Sequence, residues 1–410
     1  MNKPLFIILA GGEGKNFYPV TVNKTLLPIL GKPILQHAIE MVEQSGFPRA
    51  LIVTNQQNED WLSTYQPFNI TLQTHVQQNV KGMAQALLEV EQEIGDQPIL
   101  VMNAVDMIDP NFFKLLYRET LDSYAFVTGM KVKSYFPGGY LNVDGKKALD
   151  IIEKPEPGKE PSDMVNLVFH YFSEPQRFLS VLKNTSGWGD DAYERGLSQF
   201  MKEQDIQVVP YTGYWQKLKY SHNVLDMVDI MLKYHIKNHV ARSAYVSKHA
   251  VIEGDVYIDE DARIESFAVI KGPAYIGRKV IIGNHALVRQ SVIEEGAIVG
   301  FGSEVARSYV GPRCSLHQNF IGDSVLESDI NPSWGTTTGN LRLDGKAVAV
   351  KLLDDGKLQT EKTKLGAIIA RGAFFGINCS IMPGVTVGQG ANIYPGKVVM
   401  KAVAEKEVVK

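Results

Sequence analysis

Residues 246–288 read VSKHAVIEGDVYIDEDARIESFAVIKGPAYIGRKVIIGNHALV, and a branched aliphatic residue occupies every sixth position of this stretch. The row consists of Val246, Ile252, Ile258, Ile264, Ile270, Ile276, Ile282 and Val288. A second row with the same step holds small or β-branched residues: Ala250, Val256, Ala262, Ala268, Ala274, Val280 and Ala286. Six-residue repeats are typical of a parallel β-helix, in which short strands stack coil upon coil around an aliphatic interior.

The six-residue repeat is interrupted over roughly 332–364 and resumes at Ile369, Phe375, Ile381, Val387 and Ile393. We therefore expect a projecting loop over roughly 332–364. Loops on a rigid solenoid commonly carry binding function. Before the repeat, apolar residues at helical spacing predict a connecting helix over 222–240. The predicted domains are therefore 1–221, the helix, and a left-handed β-helix over 241–410.

The first half has a different pattern. Apolar strand-like runs, such as LFIILA at 5–10 and PILVMNAV at 98–105, alternate with helical stretches such as ILQHAIEMVEQSG at 34–46. This alternation predicts an α/β domain with a sheet covered by helices.

Composition narrows the function classes. Lys plus Arg is 42 and Asp plus Glu is 45, a net charge of 42 − 45 = −3, and the basic residues are scattered, so we expect no nucleic-acid partner. No apolar run reaches the length needed to cross a bilayer, and we expect no membrane partner. The only cysteines, Cys314 and Cys379, exclude a disulfide framework and fit a cytoplasmic protein.

A glycine-rich turn follows the first predicted strand. Gly11 and Gly12 would let backbone N–H groups approach a phosphate, and Lys24 would neutralise its charge. Glycines also make plain turns, so the turn by itself is weak evidence.

The longer context is more specific. The segment LAGGEGKNFYPVTVNKTLLPILGKPILQHAIE, residues 9–40, resembles the opening of the sugar-1-phosphate nucleotidylyltransferases. As a fold class we expect a Rossmann-like domain of the nucleotidyltransferase type, with a mixed sheet. The resemblance continues to further positions. It implies that Gln77 and Gly82 read the base, that Asp106 binds a metal, and that Glu153 and Asn166 bind the sugar.

Two departures from that family pattern matter for catalysis. Lys15-Asn16 stands where Thr-Arg is expected, and Trp215-Gln216-Lys217 stands where Trp-x-Asp is expected. Asparagine supplies neither the charge nor the fork of a guanidinium, and an ammonium cannot ligate Mg²⁺. Met83 and Val105 replace a Thr and a Gly. We therefore expect nucleotidyl transfer to be impaired or lost, with Mg²⁺ required only if it is retained.

The second half agrees with its family pattern at more of the residues that would carry the chemistry. Residues 316–324, LHQNFIGDS, and 335–345, GTTTGNLRLDG, resemble the acetyltransferase half of the bifunctional glucosamine-1-phosphate acetyltransferase/N-acetylglucosamine-1-phosphate uridylyltransferase, in its archaeal-type branch. The resemblance implies acetyl-CoA as the donor and a homotrimer. Its motif makes His317 the general base, because histidine is the side chain type that most often exchanges protons in catalysis near neutral pH.

The same resemblance implies the acceptor contacts. Asn331 and Asn340 would hold the amino-sugar, and Asn340 would be a catalytic residue together with His317. Arg289 and Arg307 would clamp the sugar phosphate. Backbone N–H groups of residues 335–339 would stabilise the oxyanion.

This half also departs from its family pattern at three places. Phe320 replaces a Tyr, Leu316 replaces a Gly, and Ser333-Trp334 replaces a Gly-Ala pair that borders the acceptor.

Three functions remain open on the sequence. The first is acetyl-CoA-dependent N-acetylation of glucosamine- or galactosamine-1-phosphate with an impaired N-terminal half. The second is an active bifunctional nucleotidylyltransferase, and the third is a non-catalytic regulatory or scaffold protein that binds nucleotide-sugar. The sequence does not identify the sugar, the nucleotide base or the pathway.

Overall fold

The computed structural model describes residues 3–410 except 186, 188 and 190. The chain divides into two compact units, the first with residues up to 13 and 34–215, the second with 14–33 and 216–410. The predicted boundary is at 221, whereas the units divide between 215 and 216. In addition, the segment 14–33 groups with the β-helix. Within the described ranges, no helix has the length and apolar character needed to cross a bilayer.

Helices and strands alternate along the chain before the β-helix begins. The helices are α1 (Ile34–Gln44), α2 (Gln56–Leu62), α3 (Gly82–Glu89), α4 (Glu91–Ile94), α5 (Asn111–Glu119), α6 (Pro175–Asn184), α7 (Ala192–Glu203) and α8 (Asn223–His235). The strands are β1 (Leu5–Leu9), β2 (Pro28–Ile29), β3 (Lys32–Pro33), β4 (Arg49–Thr54), β5 (Thr71–Val76), β6 (Ile99–Asn103), β7 (Asp106–Ile108), β8 (Ala125–Lys131), β9 (Gly139–Asp144), β10 (Lys147–Glu153), β11 (Met164–Phe172), β12 (Ile206–Tyr211) and β13 (Trp215–Lys217).

The first unit is built on a nine-stranded sheet of order β5-β4-β1-β6-β11-β8-β12-β10-β9. β1 pairs in parallel with β4 and β6, whereas β11 pairs antiparallel with β6 and β8, so the sheet is mixed as predicted. Phe6, Ile7 and Ile8 are fully buried, which explains why β1 is a continuous apolar run: both faces of a central strand are covered.

The second unit is a left-handed parallel β-helix, which confirms the fold predicted from the six-residue repeat. The strands of face A are β14 (His239–Val240), β17 (Val256–Ile258), β20 (Ala274–Ile276), β23 (Val292–Ile293), β26 (Tyr309–Val310), β29 (Val325–Leu326), β34 (Ile368–Ile369) and β37 (Thr386–Val387). Those of face B are β15 (Tyr245–Val246), β18 (Arg263–Ile264), β21 (Ile281–Ile282), β24 (Ile298–Val299), β27 (Ser315–Leu316), β30 (Asn331–Pro332), β35 (Phe374–Phe375), β38 (Asn392–Ile393) and β40 (Val408–Val409). Those of face C are β16 (Val251–Glu253), β19 (Val269–Lys271), β22 (Leu287–Arg289), β25 (Glu304–Ala306), β28 (Phe320–Gly322), β31 (Thr337–Thr338), β36 (Ser380–Ile381) and β39 (Val398–Val399).

Both predicted rows point into the β-helix. Ile258 to Val288 of the aliphatic row and Ala262 to Ala286 of the small row lie in one buried core, while Val246, Ala250 and Ile252 of the first coil pack against it. Cys314 and Cys379 are buried in the same core. The repeat in the sequence therefore corresponds to a continuous apolar interior.

Two predicted boundaries differ from the structure. The connecting helix ends at His235 rather than 240, because His239 and Val240 already pair in parallel with Tyr257 and Ile258. Sheet pairing therefore overrides the helical pattern over the last residues.

The loop leaves the β-helix later than predicted. β31 still pairs with β36, and the insertion then contains a hairpin of β32 (Val350–Lys351) and β33 (Lys357–Leu358). Thr336 and Thr338 break the aliphatic rule, yet both are fully buried. Their hydroxyls are hydrogen-bonded, Thr336 to Gly376 O at 3.1 Å and Thr338 from Gly322 N at 2.9 Å, so the polar groups are satisfied inside the coil.

Two buried carboxylates of the β-helix hold the segment 14–33. Glu327 accepts hydrogen bonds from Thr21 N at 3.0 Å, Val22 N at 2.8 Å and Arg371 N at 2.9 Å. Glu294 accepts one from Gly31 N at 3.1 Å, while its Oε1 atom has no partner among the described residues. Glu294 is thus an incompletely satisfied buried acid.

The stability of the protein should fall with rising pH because of Glu294. Burial raises the pKa of this carboxyl from 4.5 to about 8, against the opposing effect of hydrogen bonds from backbone groups of Leu30 and Gly31. Since the folded-state pKa lies above the unfolded value, the stabilisation is complete below the unfolded pKa and is lost as pH rises through about 8. We expect Glu294→Gln to flatten the dependence of the unfolding temperature on pH between about 4.5 and 8.

Thermal unfolding across this range measures the effect. Glu295→Gln is the matched control, because the adjacent Glu295 side chain is 48% exposed and paired with Arg278. An equal slope in the wild type and in Glu294→Gln would contradict the assignment.

Candidate functional site

The candidate nucleotide site of the first unit lies where the chain leaves β1. A Cβ atom on Gly11 would lie 2.4 Å from Gln77 Oε1 and 3.3 Å from Thr54 O, so a larger residue here would displace the Gln77 side chain. A Cβ on Gly12 would meet nothing within 4 Å, so there is open space beside this residue. Gly82 begins α3 with a φ of 85°, in the left-handed region that favours glycine. The structure therefore brings the predicted Gly11 and Gln77 into contact.

The predicted metal ligand Asp106 is buried at the start of β7. Its Oδ2 accepts a hydrogen bond from Asn103 Nδ2 at 3.2 Å, and its Oδ1 accepts one from Trp215 Nε1 at 3.1 Å. Over the ranges that the structure describes, no group of three or more His, Cys, Asp or Glu side chains could hold a metal. Mg²⁺ is usually bound by one or two carboxylates together with substrate phosphates, so Asp106 would supply one such carboxylate, whose two oxygens here accept hydrogen bonds from Asn103 and Trp215.

The two predicted sugar-binding residues lie on strands that border β9. Tyr140 of β9 pairs with Ile152 on one side and with Val165 on the other. Glu153 and Asn166 are the next residues of those two strands, so the sheet brings these predicted residues to the same end of β9.

Lys24, Asn16 and Lys217 belong to the second unit, whereas Gly11 and Asp106 belong to the first. Lys24 and Asn16 lie in the segment 14–33, which Glu327 and Glu294 hold on the β-helix. The structure therefore groups the predicted phosphate-binding lysine with the β-helix.

In the second unit, a charged network lies at the corner between faces C and A. Arg307 Nε and its terminal nitrogen donate to the two carboxylate oxygens of Asp323, each at 2.7 Å. Asn340 Nδ2 donates to the same carboxylate at 2.5 Å. A Cβ on Gly322 would lie 2.9 Å from Asn340 Nδ2 and 2.8 Å from the Phe320 ring, so glycine here lets Asn340 approach. The hydrogen bond from Arg307 to Asp323 raises the pKa of the guanidinium.

The second predicted arginine is also paired. Arg289 donates to Glu304 Oε1 from Nε at 3.1 Å and from a terminal nitrogen at 2.6 Å. Backbone pairing joins the two arginines, because Arg307 N donates to Arg289 O at 2.9 Å. The arginines thus lie on successive coils, but each guanidinium already has a carboxylate partner, so a sugar phosphate would compete with Glu304 and Asp323.

His317 lies at a different corner, between faces B and C. Its ring is exposed, and its Nε2 lies 3.3 Å from Ser315 Oγ. Its backbone N donates to the Oδ1 of Asn319 at 2.5 Å. Among the described residues no hydrogen bond joins His317 to the Asp323 network. The three residues of β28, Phe320–Gly322, separate the two corners.

Asn331 is exposed on face B, one coil beyond β27. Ser315 lies two residues before His317, and its backbone N donates to Ile330 O at 2.9 Å. Ile330 directly precedes Asn331. The structure therefore brings His317 and Asn331 onto adjacent coils, and it brings Arg307 and Asn340 together at the other corner.

The backbone groups predicted to stabilise the oxyanion are mostly engaged in the coil itself. Thr337 N donates to Cys379 O at 2.9 Å, Gly339 N to Ile381 O at 2.8 Å and Thr336 N to Ser333 O at 3.2 Å. These groups complete the turns and ladders of the coil, so the expectation that they stabilise an oxyanion is wrong for these three residues.

Sequence reasoning missed Asn319, which is buried and braces the site. Besides binding the His317 backbone, its Nδ2 donates to Ser333 O and Thr336 O, both at 3.0 Å. It thereby ties the turn of His317 to the next turn of the same corner. Nothing in the local sequence separates Asn319 from a solvated loop asparagine, because its partners lie one coil away.

Comparison with known families gives two matches. The nucleotidyl transferase model matches residues 5–216, just over half of the chain. The model of the GMPPB C-terminal domain matches residues 252–335.

Curated relatives match almost the whole chain. The bifunctional sugar-1-phosphate nucleotidylyltransferase/acetyltransferase of Sulfurisphaera tokodaii is 30% identical, over 98% of this chain and 99% of that protein. The bifunctional protein GlmU of Methanocaldococcus jannaschii is 32% identical, over 93% of this chain and 91% of its own.

A solved UDP-glucose pyrophosphorylase in complex with UDP-glucose aligns at a TM-score of 0.51 and 20% identity. It covers 56% of this chain and 99% of that structure. At this identity the likeness supports the fold of the nucleotidyltransferase part alone.

Proposed function

Because this chain belongs to the family of bifunctional sugar-1-phosphate nucleotidylyltransferase/acetyltransferases, we propose that its β-helix transfers an acetyl group from acetyl-CoA to an amino-sugar-1-phosphate. The chain is a transferase. The observation that carries the proposal is the hydrogen-bonded set of Arg307, Asp323 and Asn340 at one end of β28, with an exposed His317 at the other.

The chemistry follows from these positions. The amine of the sugar attacks the thioester carbonyl carbon, a C–N bond forms, and one ring nitrogen of His317 takes the proton that the amine loses. The C–S bond then breaks, and the proton held by His317 passes to the sulfur, so that coenzyme A leaves as its thiol. Asn331 lies on the coil adjacent to that of His317 and binds the sugar near the amine. Asn340, which was predicted to be catalytic, lies with Arg307 and Asp323 at the end of β28 opposite His317, so in this proposal Asn340 and the arginines bind the far end of the acceptor.

The proposal is tested by thiol release from acetyl-CoA with glucosamine-1-phosphate or galactosamine-1-phosphate as acceptor. We expect release that depends on the amino-sugar-1-phosphate. Absence of acetylation with both acceptors would favour the scaffold function instead.

The N-terminal half binds nucleotide-sugar in this proposal, with nucleotidyl transfer impaired. Asn16 and Lys217 replace a cation and a metal-binding carboxylate of the family pattern, and both oxygens of Asp106 are engaged by hydrogen bonds. Active nucleotidyl transfer is the second candidate, favoured by the nucleotidyl transferase match over residues 5–216.

We also propose a homotrimer. The corner of faces B and C that carries His317 exposes large apolar side chains on four of six consecutive coils, and His285 and His317 lie at this corner on the other two. Their exposed fractions are 53% for Phe267, 61% for Phe301, 52% for Trp334 and 51% for Ile377. An apolar row of this kind marks an interface, and a neighbouring copy here would cover it and border the donor site.

Light scattering at micromolar concentration should therefore give a mass of about three chains. Phe301→Glu, which places a charge in the apolar row, should reduce the mass and the acetylation rate together. A monomeric wild type that acetylates normally would exclude the trimer.

A further inference from the structure

Asn166 lies at the edge of the first sheet where ligands bind in α/β folds. β11 runs antiparallel to β6 with Phe169 opposite Met102, so the residues before Phe169 extend beyond the carboxyl end of β6. Gly11 follows the carboxyl end of the parallel neighbour β1. Ligands of open α/β sheets bind beyond the carboxyl ends of the parallel strands.

Behind Asn166 lies a buried pair of polar rings. His170 Nε2 is 3.0 Å from Asn166 Oδ1, and His170 Nδ1 is 2.7 Å from the Tyr193 hydroxyl. The imidazole is fully buried and the tyrosine is almost so. Burial lowers the pKa of His170 to about 3 and raises that of Tyr193, so both groups are neutral at physiological pH.

Neutrality and the orientation of the Asn166 amide, whose oxygen faces Nε2, together set the protons of this chain of hydrogen bonds. The amide oxygen only accepts, so the proton of the neutral imidazole is on Nε2. Nδ1 is then an acceptor, and the Tyr193 hydroxyl donates to it. The oxygen of Asn166 is thereby held inward, and its NH₂ group has no hydrogen-bond partner among the described residues.

We propose that His170 is a positioning residue of the nucleotide-sugar site, and that it orients Asn166 so that the amide N–H groups donate to hydroxyl or phosphate oxygens of the sugar phosphate. This inference rests on the proposed binding of nucleotide-sugar by the N-terminal half. His170 itself touches no ligand. The inference assigns Asn166 a donor role, so a ligand that offers acceptor oxygens is selected.

The first test is direct observation of the tautomer. ¹⁵N NMR of the full chain labelled at histidine should show a proton on His170 Nε2 and none on Nδ1, unchanged from about pH 5 to pH 9. The Tyr193→Phe variant removes the donor to Nδ1 and should disturb this pattern. A proton on Nδ1 of the wild type, or a titrating ring, would overturn the proposal whatever the activity of the protein.

The second test measures binding of UDP-N-acetylglucosamine, dTDP-glucose and GDP-mannose by calorimetry. We expect His170→Phe to weaken the best ligand about tenfold, the worth of one oriented hydrogen bond to a charged or polar group. Asn166→Asp should weaken it further, because a carboxylate presents only acceptors. Acetyl-CoA affinity and acetylation should stay unchanged in both variants.

Thr128→Val is the matched control. It removes another buried hydrogen bond to β11, from Thr128 Oγ1 to Phe169 O at 2.9 Å, without touching Asn166. Equal weakening in Thr128→Val and His170→Phe would show a merely structural role and overturn the proposal. So would a wild type that binds none of the three ligands, whereas failure of acetylation alone would count only against the proposed function of the β-helix.

Discussion

His317→Ala is expected to reduce acetylation by about 10²–10⁴-fold, the usual contribution of a general base. The His317 ring is exposed at the corner of faces B and C, where acetyl-CoA can reach it. The backbone N of His317 donates to buried Asn319, which holds the turn in place. The loss should appear mainly in kcat, because the ring takes a proton only as the amine attacks the thioester. Thiol release from acetyl-CoA with glucosamine-1-phosphate measures it.

His239→Ala is the matched control for this variant. His239 is also exposed, but on face A, where it stacks on Tyr257 with ring centroids 4.5 Å apart, and the resemblance gives it no role. It should retain the wild-type rate. Full activity of His317→Ala would make another group the base and remove the catalytic assignment.

Pyrophosphate release by the wild type is expected to be slow or undetectable with any common nucleoside triphosphate. The family pattern places an arginine at position 16 and an aspartate at position 217, and the loss of one transition-state arginine in phosphoryl chemistry costs about 10³–10⁵ in rate. Lys217→Asp alone should restore magnesium affinity but little turnover. Adding Asn16→Arg should then increase turnover by more than the sum of the single effects, as coupled charges do.

The assay covers UTP, dTTP, CTP, GTP and ATP with several sugar-1-phosphates. Lys219→Asp introduces the same charge change two positions away and should restore no magnesium affinity. Rapid wild-type turnover with any pair of substrates would refute the impaired site and make the protein an active bifunctional enzyme.

Much of the fold was predictable because its signals are periodic. The six-residue step of Ile258, Ile264 and Ile270 needs no knowledge of partners, since each coil repeats the same inward position. The α/β pattern of the first unit is equally local. The predictions that differ from the structure concern residues whose partners are distant in sequence. Thr338 is stable inside the coil because Gly322 N donates a hydrogen bond to its hydroxyl. The helix ends before His239 because the strand of His239 pairs with β17.

The candidate site shows the same division. Its residue types follow from motifs, since His317, Asn331 and Asn340 stand at fixed spacings in a continuous segment. The spatial arrangement of these residues does not follow from the motifs. That Asp323 takes both nitrogens of Arg307, and that His317 and Asn340 lie at opposite ends of β28, depends on which coil lies above which.

Periodicity and motif spacing are properties of one continuous run of residues, and they were enough to establish the two fold classes, the repeat and the chemical candidates. They could not show that the segment 14–33 packs on the β-helix, that Glu327 and Glu294 hold it, or that His170 orients Asn166. Those features depend on how the folded chain places its polar groups. A buried polar group is stable only with a partner, and in most of these cases the partner lies far away in the chain.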